Sequence, residues 1–420
     1  MDMDIQNNSF LSIDQLANQY LNSSRKTVKA AQENLVSFQE ILQNKSQEQN
    51  VSGTQDLKFS KHAAVRLENR GIELTDAQLE RLNDGARKAG QKGIRDSLVI
   101  VDDLAFIVNV PNKTVVTAMN SREIQGVIFN IQRFCITDGD GIRTTVFLKG
   151  CPLHCRWCHN PESQLAAPQL MYKPARCVGC MACADVCKHG VHRFDGGVHF
   201  VDFSRCIRCG LCTAVCCYDA LELCGSRQTA GSVIDSVCKD KSFFGERGGM
   251  TVSGGEPLMQ PEFLEALLRL AAEAGIRSYI ETSGFANADV LARISPLTDC
   301  FLFDWKLTDP ALHKTYIGVD NSLILHNLRY LAGQHKRIVL RCPIIPGVND
   351  CTAHFEGIAR LASSLDAIDH VELMAYHTMG ESKKGQLGRA DSFRAEIPEQ
   401  EQKQQWLSQL RALGCDARLG

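Results

Sequence analysis

Three cysteines stand together in the stretch Cys151-Pro-Leu-His-Cys155-Arg-Trp-Cys158, a C-x3-C-x2-C spacing. Thiolates are soft ligands that suit iron–sulfur clusters or zinc. Three of them can hold three irons of a cubane [4Fe–4S] cluster and leave the fourth without a protein ligand. An open iron can coordinate a substrate, so chemistry can happen there. The rival is a structural zinc site, which closes its fourth position with Cys or His. His154 and His159 are at hand for that role.

Eight further cysteines follow in two matching runs. Cys177-x2-Cys180-x2-Cys183-x3-Cys187 is repeated 29 residues later as Cys206-x2-Cys209-x2-Cys212-x3-Cys216. Gly179, Ala182 and Gly210 lie between the thiols and let backbone N–H groups approach sulfur, which tunes a cluster's potential. A zinc ribbon has no need of a repeated triple spacing. The repeat resembles a bacterial two-cluster ferredoxin, with Lys188 and Cys217 where a proline usually follows the fourth cysteine. That resemblance implies crossed ligation. Cys177, Cys180, Cys183 and Cys216 would hold one [4Fe–4S] cluster, and Cys206, Cys209, Cys212 and Cys187 the other. Such clusters relay electrons to the first site or merely support the fold.

Composition narrows the setting. The chain has 420 residues, room for two or three domains, and a net charge of −2, which gives no basis for a nucleic-acid or anionic-membrane partner. No apolar run approaches the ~20 residues that span a bilayer, and the start Met1-Asp2-Met3-Asp4 lacks a signal pattern. Eleven of the nineteen cysteines fall in the three runs. In a chain this long that argues for iron–sulfur ligation in a reducing, anaerobic cytoplasm rather than a disulfide scaffold.

The elements that position these residues alternate in type. Thr144–Leu148, Met250–Ser253, Arg277–Glu281, Cys300–Asp304, Arg337–Arg341 and His370–Met374 read as strands. Between them, helices are predicted at 261–274, 288–294, 322–332 and 352–365. Alternating βα units imply a parallel sheet with helices outside, and polar residues at strand C-termini then mark the site. Those residues are Gly254-Gly255-Glu256-Pro257, Glu281-Thr282-Ser283-Gly284, Asp304-Trp305-Lys306, Arg341, and His377 with Lys383.

The cysteine triplet with Trp157 before its last member, followed by these strand ends, resembles the radical S-adenosylmethionine (radical SAM) enzymes. Phe129-Asn-Ile-Gln-Arg-Phe134 and Asp138-Gly-Asp-Gly-Ile-Arg143, leading into the cysteines, resemble the opening of the glycyl-radical enzyme activating enzymes. Members usually carry His-Asp-Gly-Pro-Gly there; this chain has Thr137 and Asp140 at the His and Pro positions. The resemblance covers residues 124–420. It implies an α/β fold, a partial (β/α)6 radical SAM barrel with an inserted ferredoxin-like two-cluster domain at 170–225. It implies catalytic Cys151, Cys155 and Cys158, and SAM-site residues Trp157, His159, Gly254, Gly255, Glu256, Glu281, Asp304, Trp305, Lys306, Arg341 and His377. Glu256 would accept from SAM's amino group, and His377 would approach the adenosine. Glu281 and Asp304 would hold a monovalent cation. The implied activity is reductive cleavage of SAM to a 5′-deoxyadenosyl radical, which makes a glycyl radical on a partner enzyme. The implied cofactors are three [4Fe–4S] clusters, and the electron donor a flavodoxin or ferredoxin. A radical SAM enzyme for a small molecule or peptide, and a flagellar-associated iron–sulfur protein without catalysis, are the competing readings.

Ahead of this region, residues 57–123 read as a small α+β unit with two helices and three strands. FSKHAAVRLENRGIEL, KGIRDSLVIVDDLAFIVNV and NKTVVTAMN resemble a small protein family of flagellar operons. Residues 1–56 are rich in Asn, Gln and Ser, with helical spacing of Ile13, Leu16 and Tyr20, then Leu35, Phe38 and Leu42, before a polar linker.

Overall fold

The computed structural model describes residues 57–69, 72–102, 104–389 and 393–420; the helical segment expected within 1–56 lies outside these. The chain begins with β1 (Lys58–Phe59), α1 (Lys61–Glu68), α2 (Asp76–Gln91), β2 (Asp96–Val101), β3 (Leu104–Asn109) and β4 (Thr114–Asn120). Ser60 caps α1 by accepting from the Ala63 N–H, and Thr75 with Gln78 forms a capping box on α2. The four strands form one sheet, in the order β1-β4-β3-β2. Ala63, Leu67, Leu82 and Ala86 of the helices pack on Val99, Val101, Phe106, Val108 and Val115 of the sheet. The alternation of a strand sends the neighbouring side chains the other way. Leu98, Ile100, Ala105 and Met119 accordingly belong to the main core of the molecule.

No linker follows. A capped turn at Ser121–Glu123 leads straight into β5 (Gln125–Cys135), which pairs antiparallel with β6 (Arg143–Leu148). The cysteine-rich segment comes next, with β7 (Gln169–Tyr172), α3 (Ala182–Val186), β8 (His192–Asp195), β9 (Val198–Val201), α4 (Leu211–Ala214) and β10 (Leu221–Cys224). β7 pairs with β10, and β8 with β9 across the turn at Gly196-Gly197, where both glycines have positive φ.

The chain returns through β11 (Ser226–Thr229) and α5 (Ala230–Cys238). It then builds β12 (Gly249–Gly254), α6 (Pro261–Glu273), β13 (Arg277–Thr282), α7 (Ala288–Ile294), β14 (Cys300–Asp304), α8 (Pro310–Ile317), α9 (Ser322–Gly333), β15 (Arg337–Ile344), α10 (Thr352–Ser364), β16 (Ile368–Ala375), α11 (Met379–Gln386), α12 (Gln400–Ala412) and β17 (Ala417–Leu419). The nine-stranded sheet has the order β11-β5-β6-β12-β13-β14-β15-β16-β17. The six strands expected from the sequence, β6 and β12 to β16, are its parallel centre. Their apolar runs are buried on both faces, as parallel strands between helices must be. The sheet extends beyond the expected six units, through antiparallel β5 and β11 on one side and through parallel β17 on the other. Among the described residues, no helix is long and apolar enough to cross a membrane.

The N-terminal ends of the strands form a closed polar floor. Arg143 is fully buried and donates to Thr251 Oγ1 (2.7 Å) and to the carbonyls of Met250 (2.7 Å), Asp140 and Arg247 (both 3.2 Å). Its guanidinium lies 3.7 Å from the centre of the Tyr279 ring. Asp140 accepts from the Tyr279 hydroxyl (2.9 Å) and from Arg337 (2.6 Å), which also pairs with Asp369 (2.7 Å). Asp140 is thus part of a salt-bridged network.

Candidate active site

The loop carrying Cys151, Cys155 and Cys158 leaves the C-terminal end of β6 and is tied down by backbone hydrogen bonds. Gly150 N–H donates to Ser163 O (2.6 Å), Cys151 N–H to Gln164 O (3.1 Å), His154 N–H to Ile317 O (2.8 Å) and Arg156 N–H to Tyr316 O (3.0 Å). The Gly254-Gly255-Glu256 segment joins it from β12: Gly255 N–H donates to Leu148 O and Glu256 N–H to Gly150 O, both at 2.8 Å. A Cβ at Gly254 would collide with the Leu148 backbone, and one at Gly255 with the Gly150 and Ser163 carbonyls. The glycines therefore admit the backbone of the cysteine loop, where close approach to a ligand was expected.

Glu256 differs more sharply from expectation. It is fully buried, and its carboxylate accepts from Thr282 Oγ1 (2.6 Å), Ser283 Oγ (2.6 Å), Ser283 N–H (2.9 Å) and Leu258 N–H (3.2 Å). Four donors fill a carboxylate's ordinary capacity, so Glu256 braces two strand ends instead of receiving an ammonium. Burial still pushes its pKa up against those bonds.

The other acids face cations. Glu281 pairs with Arg341 (2.8 Å) and accepts from Ser253 Oγ; Arg341 also pairs with Glu372 (2.9 Å) and donates to Thr137 O (2.5 Å). Asp304 pairs with Lys306 at 2.8 Å. Burial works against the charge on Glu281, but Arg341 and Ser253 hold its pKa below the usual range. Burial raises Asp304, with Lys306 opposing. Asp138 is raised by burial and by the charge on Glu281. Lys306 is raised: burial opposes its charge, but Asp304 and the thiols at Cys155 and Cys151 favour it. Burial pushes the Cys155 thiol up to about 12 and raises Cys151 and Cys158 as well. Left alone, these thiols stay protonated; bound iron would deprotonate them.

That donor set fits a cluster. Among the described residues, the grouping of three His, Cys or acidic ligand atoms within 4.8 Å of one another is Cys183, His192 and His199, not the 151–158 cysteines. Zinc–sulfur bonds of about 2.3 Å would draw thiols closer than that. His159, the proposed zinc ligand next to Cys158, stacks on His377 instead, with ring centres 3.7 Å apart. Its Nε2 is buried and has no partner. Burial first, and then His377, drives His159 down to about 4, so it is a neutral ring with one polar atom to offer. Lys383 holds the same turn through Asn160 Oδ1 (3.0 Å) and Glu162 (2.6 Å).

The two tryptophans part: Trp157 sits in an apolar cluster that Cys151 and Cys155 also pack against, and Trp305 lies in the main core. Trp157 is buried against Tyr316 and Phe393, with ring centres 5.8 and 6.0 Å away, in an apolar cluster with Leu153, Leu307 and Ile345. Trp305 belongs to the main core and donates to Thr308 Oγ1 at 3.3 Å. Strand-like alternation explains this: Asp304 and Lys306 turn one way and Trp305 the other.

In the cysteine-rich segment one cavity is lined by Cys177, Cys180, Cys183 and Cys216, and a second by Cys187, Cys206, Cys209 and Cys212. His199 lines the first and His192 the second. Neither histidine was singled out in the sequence. The signal that points to them is the alternation in Val191-His-Arg-Phe-Asp-Gly-Gly-Val-His-Phe-Val201, which turns both inward between the cysteine runs.

The family described as a 4Fe-4S single cluster domain matches residues 137–304. The chain is 39% identical over 279 residues to the indoleacetate decarboxylase activating enzyme of Tractidigestivibacter scatoligenes, covering 63% of this chain and 88% of that one. It is 41% identical over 275 residues to the isethionate sulfite-lyase activating enzyme of Desulfovibrio desulfuricans, covering 63% and 87%. A domain of the pyruvate-formate lyase-activating enzyme from Bacteroides vulgatus aligns at 29% identity and a TM-score of 0.36, covering 41% of this chain and 99% of that one. The chain belongs to the glycyl-radical enzyme activating enzymes, within the radical SAM proteins. It is accordingly an oxidoreductase-type activating enzyme that uses iron–sulfur chemistry and SAM.

Proposed function

We propose that this enzyme holds SAM at a cluster bound by Cys151, Cys155 and Cys158 and activates a glycyl-radical lyase or decarboxylase. The observation that carries the reading is the arrangement of three partly buried thiols beside Lys306 and the partnerless His159 Nε2. Once bound, the cluster and SAM would supply reductive scission of the C5′–S bond, giving methionine and a 5′-deoxyadenosyl radical that takes hydrogen from a glycine Cα of the partner. The protein's part is to position and to exclude water. Lys306 offers a cation toward the thiols and a SAM carboxylate. Arg341 fixes Glu281, and the stacked His159 and His377 give a flat ledge for adenine. Trp157 seals the loop with Tyr316 and Phe393. Arg341 and Lys306 already bring positive charge to Glu281 and Asp304, so a monovalent cation there would share those carboxylates with them.

The two cysteine-lined cavities support crossed ligation of two further [4Fe–4S] clusters in residues 170–225, three clusters in all. These clusters relay electrons from a flavodoxin or ferredoxin. The domain division that goes with this reading is 57–123, 124–420 and the 170–225 insert, and the compartment is the cytoplasm. The two curated relatives name a decarboxylase and a sulfite-lyase, which is why a partner of that kind is favoured. Anaerobic reconstitution tests the whole. The loaded chain, given reductant and SAM, releases 5′-deoxyadenosine and raises a glycyl-radical EPR doublet on a co-encoded partner. A loaded chain that releases none refutes the assignment.

A further inference from the structure

The hairpin β8–β9 carries a hydrogen-bonded pair of histidines between the two cysteine-lined cavities. His192 Nδ1 lies 3.0 Å from His199 Nε2, and His199 Nδ1 lies 3.4 Å from Cys177 Sγ. His199 Nε2 is also 3.8 Å from Cys183 Sγ. Both rings are buried. His199 is fixed by Phe194, stacked with centres 4.3 Å apart, and by the edge-on Tyr172 at 4.6 Å. A neutral imidazole has a single N–H to give.

The direction of the bonds follows from that count. A cysteine that ligates iron has lost its proton and can only accept. The Cys177–His199 contact then needs the proton on His199 Nδ1. His199 Nε2 is left bare, and its bond to His192 needs the proton on His192 Nδ1. What remains over is His192 Nε2, the buried atom with no partner. It is then a lone pair rather than an N–H, the milder kind of unmet group. The other tautomers leave the nearer sulfur, Cys177 at 3.4 Å, facing a lone pair, or put two lone pairs or two N–H groups against each other; this one sets a lone pair only toward the farther Cys183, at 3.8 Å.

We propose that His199 is a positioning residue that donates Nδ1–H to the Cys177 thiolate, in a tautomer set by His192, and so raises the reduction potential of the cluster at Cys177, Cys180, Cys183 and Cys216. This rests on the two-cluster reading of the insert. Reduction adds negative charge to the cluster and its sulfurs, so a donor aimed at a ligating sulfur stabilises the reduced form more than the oxidised one. The cysteine run beginning at Cys206 has no counterpart: the position matching His199, 29 residues on, is Gln228, which lies in β11 outside that cavity. His189 and His192 line the second cavity, but the histidine–sulfur contact is at Cys177; the two clusters are therefore inequivalent, and the one whose Cys177 meets His199 is the easier to reduce.

The test is an EPR-monitored redox titration of the full-length, anaerobically reconstituted chain, with iron counted in the same samples. Cys177→Ser identifies which signal belongs to the first cavity; if that variant loses no iron and no signal, the two-cluster reading itself fails. His199→Phe keeps the aromatic volume and removes the donor. The expected result is full iron with the assigned cluster's reduction constant lowered about tenfold, about 59 mV for one electron, and the other potentials unmoved. His199→Asn, which keeps an N–H, recovers part of the shift. His192→Phe gives a smaller shift of the same sign, because His199 is freed to change tautomer. If His199→Phe fails to take up iron, the His199→Asn and His192→Phe titrations decide. Potentials that match the wild type in the loaded variants overturn the proposal. So does an upward shift, or zinc bound at Cys183, His192 and His199 in place of four irons.

Discussion

The floor and the mouth of the barrel both gather acids around arginine, and they treat the charge differently. On the floor, Arg143 donates at every face and Arg337 clamps Asp140 and Asp369; both acids have pKa values lowered, Asp369 mainly by Arg337 and Asp140 by Arg337 and Tyr279 against the cost of burial. At the mouth, Arg341 lowers Glu281 in the same way and four donors fill the buried Glu256, but Asp138 and Asp304 are raised by burial, the three thiols are raised too, and His159 Nε2 has no partner. A network that is fully satisfied stabilises. One with raised acids and an unpaired nitrogen is held in place by the rest of the fold and waits for something to complete it. The difference separates residues that tie the strand starts together from residues left with groups unmet at the strand ends.

The most drastic way to test this contrast is at the thiols. Cys155→Ala is expected to reduce SAM cleavage to background while the far-UV circular dichroism stays that of the wild type. Iron should fall from about twelve atoms per chain to about eight. Cleavage that survives would remove the mouth's claim to the chemistry.

Arg143→Met is the counterpart on the floor. It takes the donor from the Met250, Asp140 and Arg247 carbonyls, while the Thr251 hydroxyl keeps its own bond to the Asp138 carbonyl. Buried groups left without partners cost about 1–3 kcal/mol each, and a total of about 3–5 kcal/mol is expected in urea unfolding. SAM cleavage per folded, iron-loaded molecule should be close to wild type. A selective loss of cleavage with unchanged stability would mean that the floor takes part in catalysis.

Lys306→Met returns to the mouth with a smaller effect. It leaves the partly buried Asp304 without its cation, 2.8 Å away in the wild type. Truncating one member of such a pair costs about 2–5 kcal/mol where the other stays charged. A rise in the SAM dissociation constant of about tenfold to a hundredfold is expected by equilibrium dialysis. The same affinity in both proteins would assign Lys306 to packing alone.

The sequence reveals the mouth's cast but not its bonding. Short stretches with apolar centres, such as Cys300–Phe303 and Ile338–Leu340, locate the six central strands, because a strand between two helix layers buries both faces. β5 and β17 escape that logic: β5 is half exposed along its length and β17 has three residues. Asp304 and Lys306 are legible as a strand-end pair, yet Trp305 between them was drawn into the site by proximity in sequence. Period-two alternation already argues that it faces the core. Glu256 reads as an open acceptor until Thr282 and Ser283, from another strand, are seen to fill it. Pairings between distant segments carry that information, and spacing along the chain does not. His192 and His199 are the same case, seven residues apart and brought together by a hairpin.

The finest test lies in one loop, where two aspartates two residues apart belong to opposite networks. Asp138 accepts from Thr145 Oγ1 at 2.6 Å and feels burial and the charge of Glu281, so its folded pKa is raised. Between the unfolded and folded values the folded chain binds the extra proton, so stability falls as pH rises through that window. The charge is a cost at neutral pH. Asp138→Asn should therefore raise the urea midpoint at pH 7 by an amount worth up to about 1 kcal/mol, and the gain should fade as pH drops below about 4. Asp140 has the opposite sign. Its folded pKa is lowered by Arg337 and Tyr279, which outweigh burial. Its contribution is present above the unfolded value and is lost as pH falls through the folded one. Asp140→Asn should cost less than about 1 kcal/mol at pH 7, since the pair is partly open to solvent screening. The difference from wild type should close in acid. Parallel pH profiles for the two variants would show that both acids sit in one electrostatic environment, and the division between floor and mouth would have no basis in this loop.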